Sequence, residues 1–290
     1  VLMACGTHHL QWKDNICRRK DTRHHCWRSS EVQGISITRK EMQRHVLTYY
    51  LTDIEPYINW LYFYHAWQVK DSQEQQRLRH MAEERIKTFA DRYHTHAIVA
   101  LADANGDDDD IIFDGHRIPL LRQQNIVDES QPNLCLSDFI RPVGQGIADR
   151  MGLFATTVDM GLETDFQNDD FERMMMQLIA DRLAEATAEK MHEEVRRTYW
   201  GYAPDECLSV SDLHSERFVG IRPAVGYPSL PDASINFVID SIIHFSEIGI
   251  RLTESGAMKP HASVSGMMIA HPKARYFAVG KVGDDQLEDY

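Results

Sequence analysis

The stretch from Asp169 to Trp200 constrains this chain more than any other. Met175, Ile179, Leu183 and Ala186 recur at three- to four-residue intervals. Ala184, Ala188, Met191 and Val195 extend the apolar stripe onto an adjoining face. Alanine, glutamate, methionine and arginine dominate, all good helix formers. Gly201-Tyr-Ala-Pro204 follows, glycine then proline, the expected chemistry for a stop. The pattern predicts the longest helix of the fold, with its charges on a solvated face.

Other elements are arranged around it. Lys40 to Leu51 reads as a helix. Ser72 to Tyr93 reads as a charged amphipathic helix with a stripe of Leu78, Met81, Ile86 and Phe89. Between them Tyr57, Trp60, Tyr62, Phe63, Tyr64 and Trp67 crowd together, an aromatic density that belongs to a core. Ala97 to Leu101 and Ile111 to Phe113 read as strands. The Asn105-Gly106 between them signals a hairpin, with Asp107 to Asp110 as its solvated tip. Ile235 to Glu247 reads as a further helix ended by Gly249. Arg251 to Ser255, Ala262 to Ile269 and Tyr276 to Val282 read as strands. Helices and hairpin-linked strands without a β-α-β rhythm give an α+β fold, a mainly antiparallel β-sheet flanked by long helices.

Composition narrows the function. The formal charge of −13 argues against a nucleic-acid binder, because neutralising phosphates needs a basic surface. No run approaches the roughly 18 apolar residues of a membrane span, so no membrane partner is expected and the location reads as cytoplasmic. Five scattered cysteines fit reduced thiols. Residues 1–32 stand apart as a leader. Its first 31 residues have a balance of +3, leaving −16 for the rest. His8, His9, Cys17, His24, His25 and Cys26 are metal-ligand types, but their spacing matches no zinc pattern. Residues 33–290 read as one domain.

Gly144-Gln-Gly146 begins like a dinucleotide fingerprint, but Asp149 stands where the third glycine belongs. The fingerprint is rejected.

Several blocks in register resemble the C-terminal, S-adenosylmethionine-binding activation domain of cobalamin-dependent methionine synthase. Asp181-Arg-Leu-Ala-Glu-Ala, His192-Glu193 and Val195-Arg196 resemble its long-helix signature, continued by Tyr199-Trp-Gly-Tyr-Ala-Pro204. Gly220-Ile-Arg-Pro-Ala-Val-Gly-Tyr-Pro228 carries its R-x-x-x-G-Y motif. Leu252-Thr-Glu-Ser, Ala257-Met258, Ala262-Ser-Val-Ser-Gly266, His271-Pro272 and Tyr276 follow in the family's order. The resemblance runs from about Gly34 to Tyr290 and leaves residues 1–32 unmatched.

The resemblance implies a repair reaction. Cobalamin held by a partner module is occasionally oxidised to cob(II)alamin. The domain presents S-adenosylmethionine to it while a flavodoxin or flavoprotein reductase supplies one electron, a reductive methylation yielding methylcobalamin and S-adenosylhomocysteine. Arg222 suits the ligand's carboxylate, because its fork makes charge-assisted hydrogen bonds. Pro223 and Gly226 shape the turn that brings backbone near Ala224 to the ligand. By the same resemblance Tyr276 and Phe277 line the adenosine side. Glu185 and Glu216 match acidic positions of the family's cleft. Gly226, Tyr227, Asp181 and Glu163 face the cobalamin module.

Asn59 departs from the family, which commonly has Ile-Asp-Trp where this chain has Ile58-Asn59-Trp60. That aspartate meets the ligand's amino group. Asparagine loses the charge assistance, an expected weakening of about 1–2 kcal/mol, or about tenfold. Asp212-Leu-His214 and Asp114-Gly-His116 begin like the cobalamin-binding signature but lack its glycine. The chain alone is therefore not expected to make methionine. A reactivation module is the first reading; a module that binds S-adenosylmethionine or a corrinoid protein without methyl transfer is the alternative.

Overall fold

In the computed structural model, residues 41–124 and 132–283 are described. The leader, with its histidines and three of the five cysteines, lies outside them. The chain enters as a strand rather than the expected helix. Strand β1 (Gln43–Tyr50) pairs antiparallel with β2 (His94–Asp107), from Gln43 opposite Leu101 to Tyr50 opposite His94. Val46, Thr48, Tyr49 and Tyr50 are β-branched or aromatic and suit a half-buried pleat. Alternation then buries Tyr49 and leaves Val46 and Tyr50 exposed.

Helices α1 (Leu51–Ile54), α2 (Trp60–Ala66) and α3 (Ser72–Phe89) follow before β2. Asp71 caps α3 by accepting from the backbone N–H groups of Gln73 and Glu74. Beyond β2 come β3 (Asp110–Phe113), β4 (His116–Ile118) and β5 (Asp149–Val158). The hairpin turn falls at Asp108 and Asp109, three residues later than Asn105-Gly106. Those two pair in the ladder with Ile112 and Ile111. Its aspartates are ion-paired rather than merely solvated: Asp107 and Asp110 with Arg117, Asp109 with Arg122.

Helix α4 (Gly161–Thr164) precedes α5 (Asp170–Glu194), the long helix expected from the sequence. Asp169 caps it through the Glu172 N–H, and acidic Asp170 and Glu172 occupy its positive end. A π-helical turn, Val195–Tyr199, closes it before Gly201, whose φ is +71°. Then come α6 (Val210–His214), α7 (Ile235–Ile243), β6 (Arg251–Leu252), β7 (Met258–Lys259) and β8 (Ser263–Met268). Residues 276–282 form no strand; Val279 bonds through its backbone to Pro228 and Gln124 instead.

The main sheet runs β4-β3-β2-β5-β8, with β1 beside the first half of β2, and its pairings are all antiparallel. Both faces are covered. Ala97, Val99, Leu101, Phe154 and Val264 turn toward α5 and α3. Ile98, Ala100, Leu153 and Met267 turn toward α7. Period-two alternation thus builds two apolar layers from the same strands. Among the described residues, no helix is long and apolar enough to cross a membrane.

Candidate functional site

The segment Gly220 to Tyr227 lies along the outer edge of β8 like a further strand. Ile221 and Ile269 exchange both backbone hydrogen bonds, at 2.8 and 3.0 Å. Met267 N–H donates to Pro223 and Val225 N–H to Ser265. Two glycines permit this approach. A Cβ on Gly266 would sit 2.2 Å from the Pro223 carbonyl oxygen, and one on Gly220 would sit 2.4 Å from that of Ile269. Gly226, at φ +88°, then turns the chain away.

Strand-like alternation sorts the side chains of this segment. Ile221 and Val225 join the apolar layer beneath α7, while Ala224 packs into the layer beneath α5. Arg222 falls on the α5 side, with its guanidinium 5.7 Å from the Phe154 ring centroid. There it pairs with Glu189 of α5; the two side chains are 9% and 21% exposed. Burial opposes the arginine's charge, but Glu189 and, adding to it, Tyr276, Glu185 and Tyr227 together outweigh it and the pKa is raised. Arg222 Nε and Glu189 Oε2 are buried with no hydrogen-bond partner.

Asp181, Glu185 and Glu189 recur every fourth residue, so they share one face of α5. The Tyr227 hydroxyl donates to Glu185, and the Tyr276 hydroxyl accepts from the Arg222 N–H at 3.0 Å. Asp181 lies 3.9 Å from exposed His261. Burial raises the Asp181 carboxyl, with Arg182 and His261 opposing and Glu163 and Glu185 adding. Glu163, on α4, accepts from the Ala262 N–H at 2.6 Å. Glu216 is raised by burial and then by the charge of Glu189, against the pull of Arg222. The structure therefore gathers Ala224, Tyr227, Tyr276, Glu185 and Glu216 around the buried Arg222 cation, with Asp181 further along α5 and Glu163 on α4.

Two expected ligand residues stand apart. Asn59 caps α2, its Oδ1 accepting from the Leu61 N–H at 3.2 Å. It lines a cavity of about 610 Å³ with Glu55, Trp60, Arg79 and His214. His214 ends α6, two residues before Glu216, so this cavity borders the same loop. The Phe277 ring packs into the α7 layer, and its N–H and C=O both bond to the Ser229 hydroxyl.

Sequence reasoning missed Glu189 and the group behind it. His192 is fully buried with both ring nitrogens unbonded, and its ring meets that of Phe218 nearly at a right angle with the centroids 4.9 Å apart. Burial, then the charges of Arg196 and Arg222, hold its pKa well below 6.5. Arg196 covers the same Phe218 ring at 4.3 Å and pairs with Glu206. The four-residue step from Glu185 was the available signal for Glu189. Among the described residues no cluster of three or more His, Cys, Asp or Glu side chains is placed to hold a metal ion.

The fold and site define a layered α+β domain whose long helix offers a row of carboxylates to a glycine-supported arginine at a sheet edge. The chain matches, over residues 50–290, the family described as vitamin B12 dependent methionine synthase, activation domain. A crystal structure of the MetH reactivation domain bound to AdoHcy superposes with a TM-score of 0.84. It is 32% identical, and the match covers 93% of this chain and 91% of that one. The chain belongs to the methionine synthase activation-domain family.

Proposed function

We propose that this chain is the reactivation module of a cobalamin-dependent methionine synthase. It binds S-adenosylmethionine beside Arg222 and presents the methyl group to cobalamin on a partner module. The observation that carries the reading is the buried Arg222 itself, whose Nε–H has no partner within the protein. A buried donor without an acceptor costs stability unless something else meets it. The carboxylate of S-adenosylmethionine or of AdoHcy is such an acceptor. A relative bound to AdoHcy at 32% identity supports the same reading.

The chain's residues divide the work. Arg222 holds the carboxylate, and the backbone at Ala224 approaches the ligand because Gly266 lets the segment lie flush on β8. Glu185, Glu189 and Glu216 set a negative field that favours a sulfonium cation over a neutral thioether. Asn59 offers an uncharged acceptor from the start of α2. Tyr276 and Phe277 belong to the adenosine side. Tyr227 and Tyr276 are 51% and 40% exposed, amphipathic rings of the kind that mark interfaces. With Gly226, Asp181 and Glu163, Tyr227 forms the face toward the cobalamin module. Bound cobalamin supplies the methyl acceptor, and a flavodoxin or flavoprotein reductase supplies the electron, in the cytoplasm.

Titration calorimetry with AdoHcy tests the binding. The wild-type chain binds, and Arg222→Gln loses about 10- to 100-fold in affinity; a wild type that does not bind overturns the reading. Reconstitution with a cobalamin module, reductant and S-adenosylmethionine tests the transfer. Methylcobalamin formation supports reactivation, and its absence despite binding favours a plain binding module.

A further inference from the structure

The Arg222–Glu189 pair is satisfied on one side only. Arg222 donates through one Nη to Glu189 Oε1, while Arg222 Nε–H and Glu189 Oε2 are both buried and bare. One donor and one acceptor, held on the two halves of a single ion pair, complement the zwitterionic end of an α-amino acid. Its carboxylate accepts from the Nε–H, and its ammonium donates to Oε2. The pair is neutral and so is the zwitterion, and docking them places four charges in alternation.

The neighbouring oxygens are placed for other tasks. Glu185 receives the Tyr227 hydroxyl, Glu216 is exposed to water, and uncharged Asn59 accepts from its own helix. We propose that Glu189 is the specificity-determining residue that receives the ligand's ammonium, beside Arg222 holding its carboxylate. The inference rests on the S-adenosylmethionine reading of this site given above. Tyr227 and Tyr276, both partly exposed, stand beside the pair on its solvent side.

The test is calorimetry of wild type and Glu189→Gln with two probes, AdoHcy and its desamino analogue lacking only the ammonium. Wild type prefers AdoHcy, and Glu189→Gln weakens AdoHcy by about tenfold or more while changing the analogue by less than about twofold. An equal loss for both probes overturns the inference, because Glu189 then acts only by positioning Arg222. No loss for AdoHcy overturns it as well. If circular dichroism shows Glu189→Gln unfolded, Glu189→Asp carries the same comparison; a loss selective for AdoHcy supports the inference, and an equal or absent loss overturns it. Wild type binding neither probe sinks the functional reading and this inference together. Wild type binding AdoHcy and losing it in Arg222→Gln, with the ammonium preference intact in Glu189→Gln, sinks this inference alone.

Discussion

Two buried arginines of this domain were built differently, and the difference separates scaffold from site. Arg122 is fully buried and every guanidinium nitrogen is engaged. Asp109 and Asp138 take charge-assisted bonds from it, and the Asn133 carbonyl another, at 2.6–2.9 Å. Together they staple the β2–β3 turn to the Cys135–Ile140 segment, whose Cys135 thiol burial pushes up to about 12. Arg222 has one carboxylate, a bare Nε and two surface tyrosines beside it. A saturated buried ion holds a fold together; an unsaturated one at a sheet edge awaits a partner.

The largest effect that could break this contrast is on stability. Arg122→Met leaves Asp109 and Asp138 without their buried counterion, at an expected cost of about 3–5 kcal/mol in urea denaturation. Arg222→Gln leaves only Glu189, which is nearer to solvent, so it costs less stability and removes binding instead. If Arg222→Gln proves the more destabilising of the two, the division into scaffold and site fails.

The next effect is a pH dependence confined to the Arg222 side. His192 stays neutral in the fold because burial, Arg196 and Arg222 all disfavour its charge. The unfolded chain takes up that proton below pH 6.5 and the folded chain does not. The stabilisation is therefore present above 6.5 and is lost as pH falls toward the folded value, by at most about 1.4 kcal/mol per pH unit. Thermal melts from pH 7 to pH 5 should show a shallower decline for His192→Leu than for wild type. Parallel declines would mean that the imidazole is protonated within the fold.

The sequence made some of this legible, and physics explains the rest. Helix α5 could be read because a 3.6-residue stripe, an aspartate cap and a glycine–proline stop all agree. Strand β1 could not, because one edge strand against β2 has few buried positions to reveal its alternation. Strand β5 has no period-two contrast to read, because eight successive residues, Met151 to Val158, are buried. Arg222 stood out among glycines and prolines. Glu189 looked like any helix-surface glutamate until the Gly220–Tyr227 segment was seen to bring Arg222 against it. Tertiary approach, which no local pattern encodes, made it a site residue.

The smallest expected effect bears on how Asn59 and Glu189 share the ligand's ammonium. Asn59 lacks the charge that the family's aspartate brings, and read alone it implies about a tenfold weakening. With Glu189 already carrying a bare, buried, charged acceptor, Asn59→Asp should tighten AdoHcy by only about two- to threefold. The added carboxylate would sit at the α2 N-terminus, where its charge is partly met by the helix end and by Arg79 across the cavity. A gain of about tenfold or more in calorimetry would place the ammonium at position 59, and Glu189 would be left holding Arg222 in place. No change in affinity, with the wild type binding normally, would remove position 59 from the site and leave the Arg222–Glu189 pair as its whole amino-acid grip.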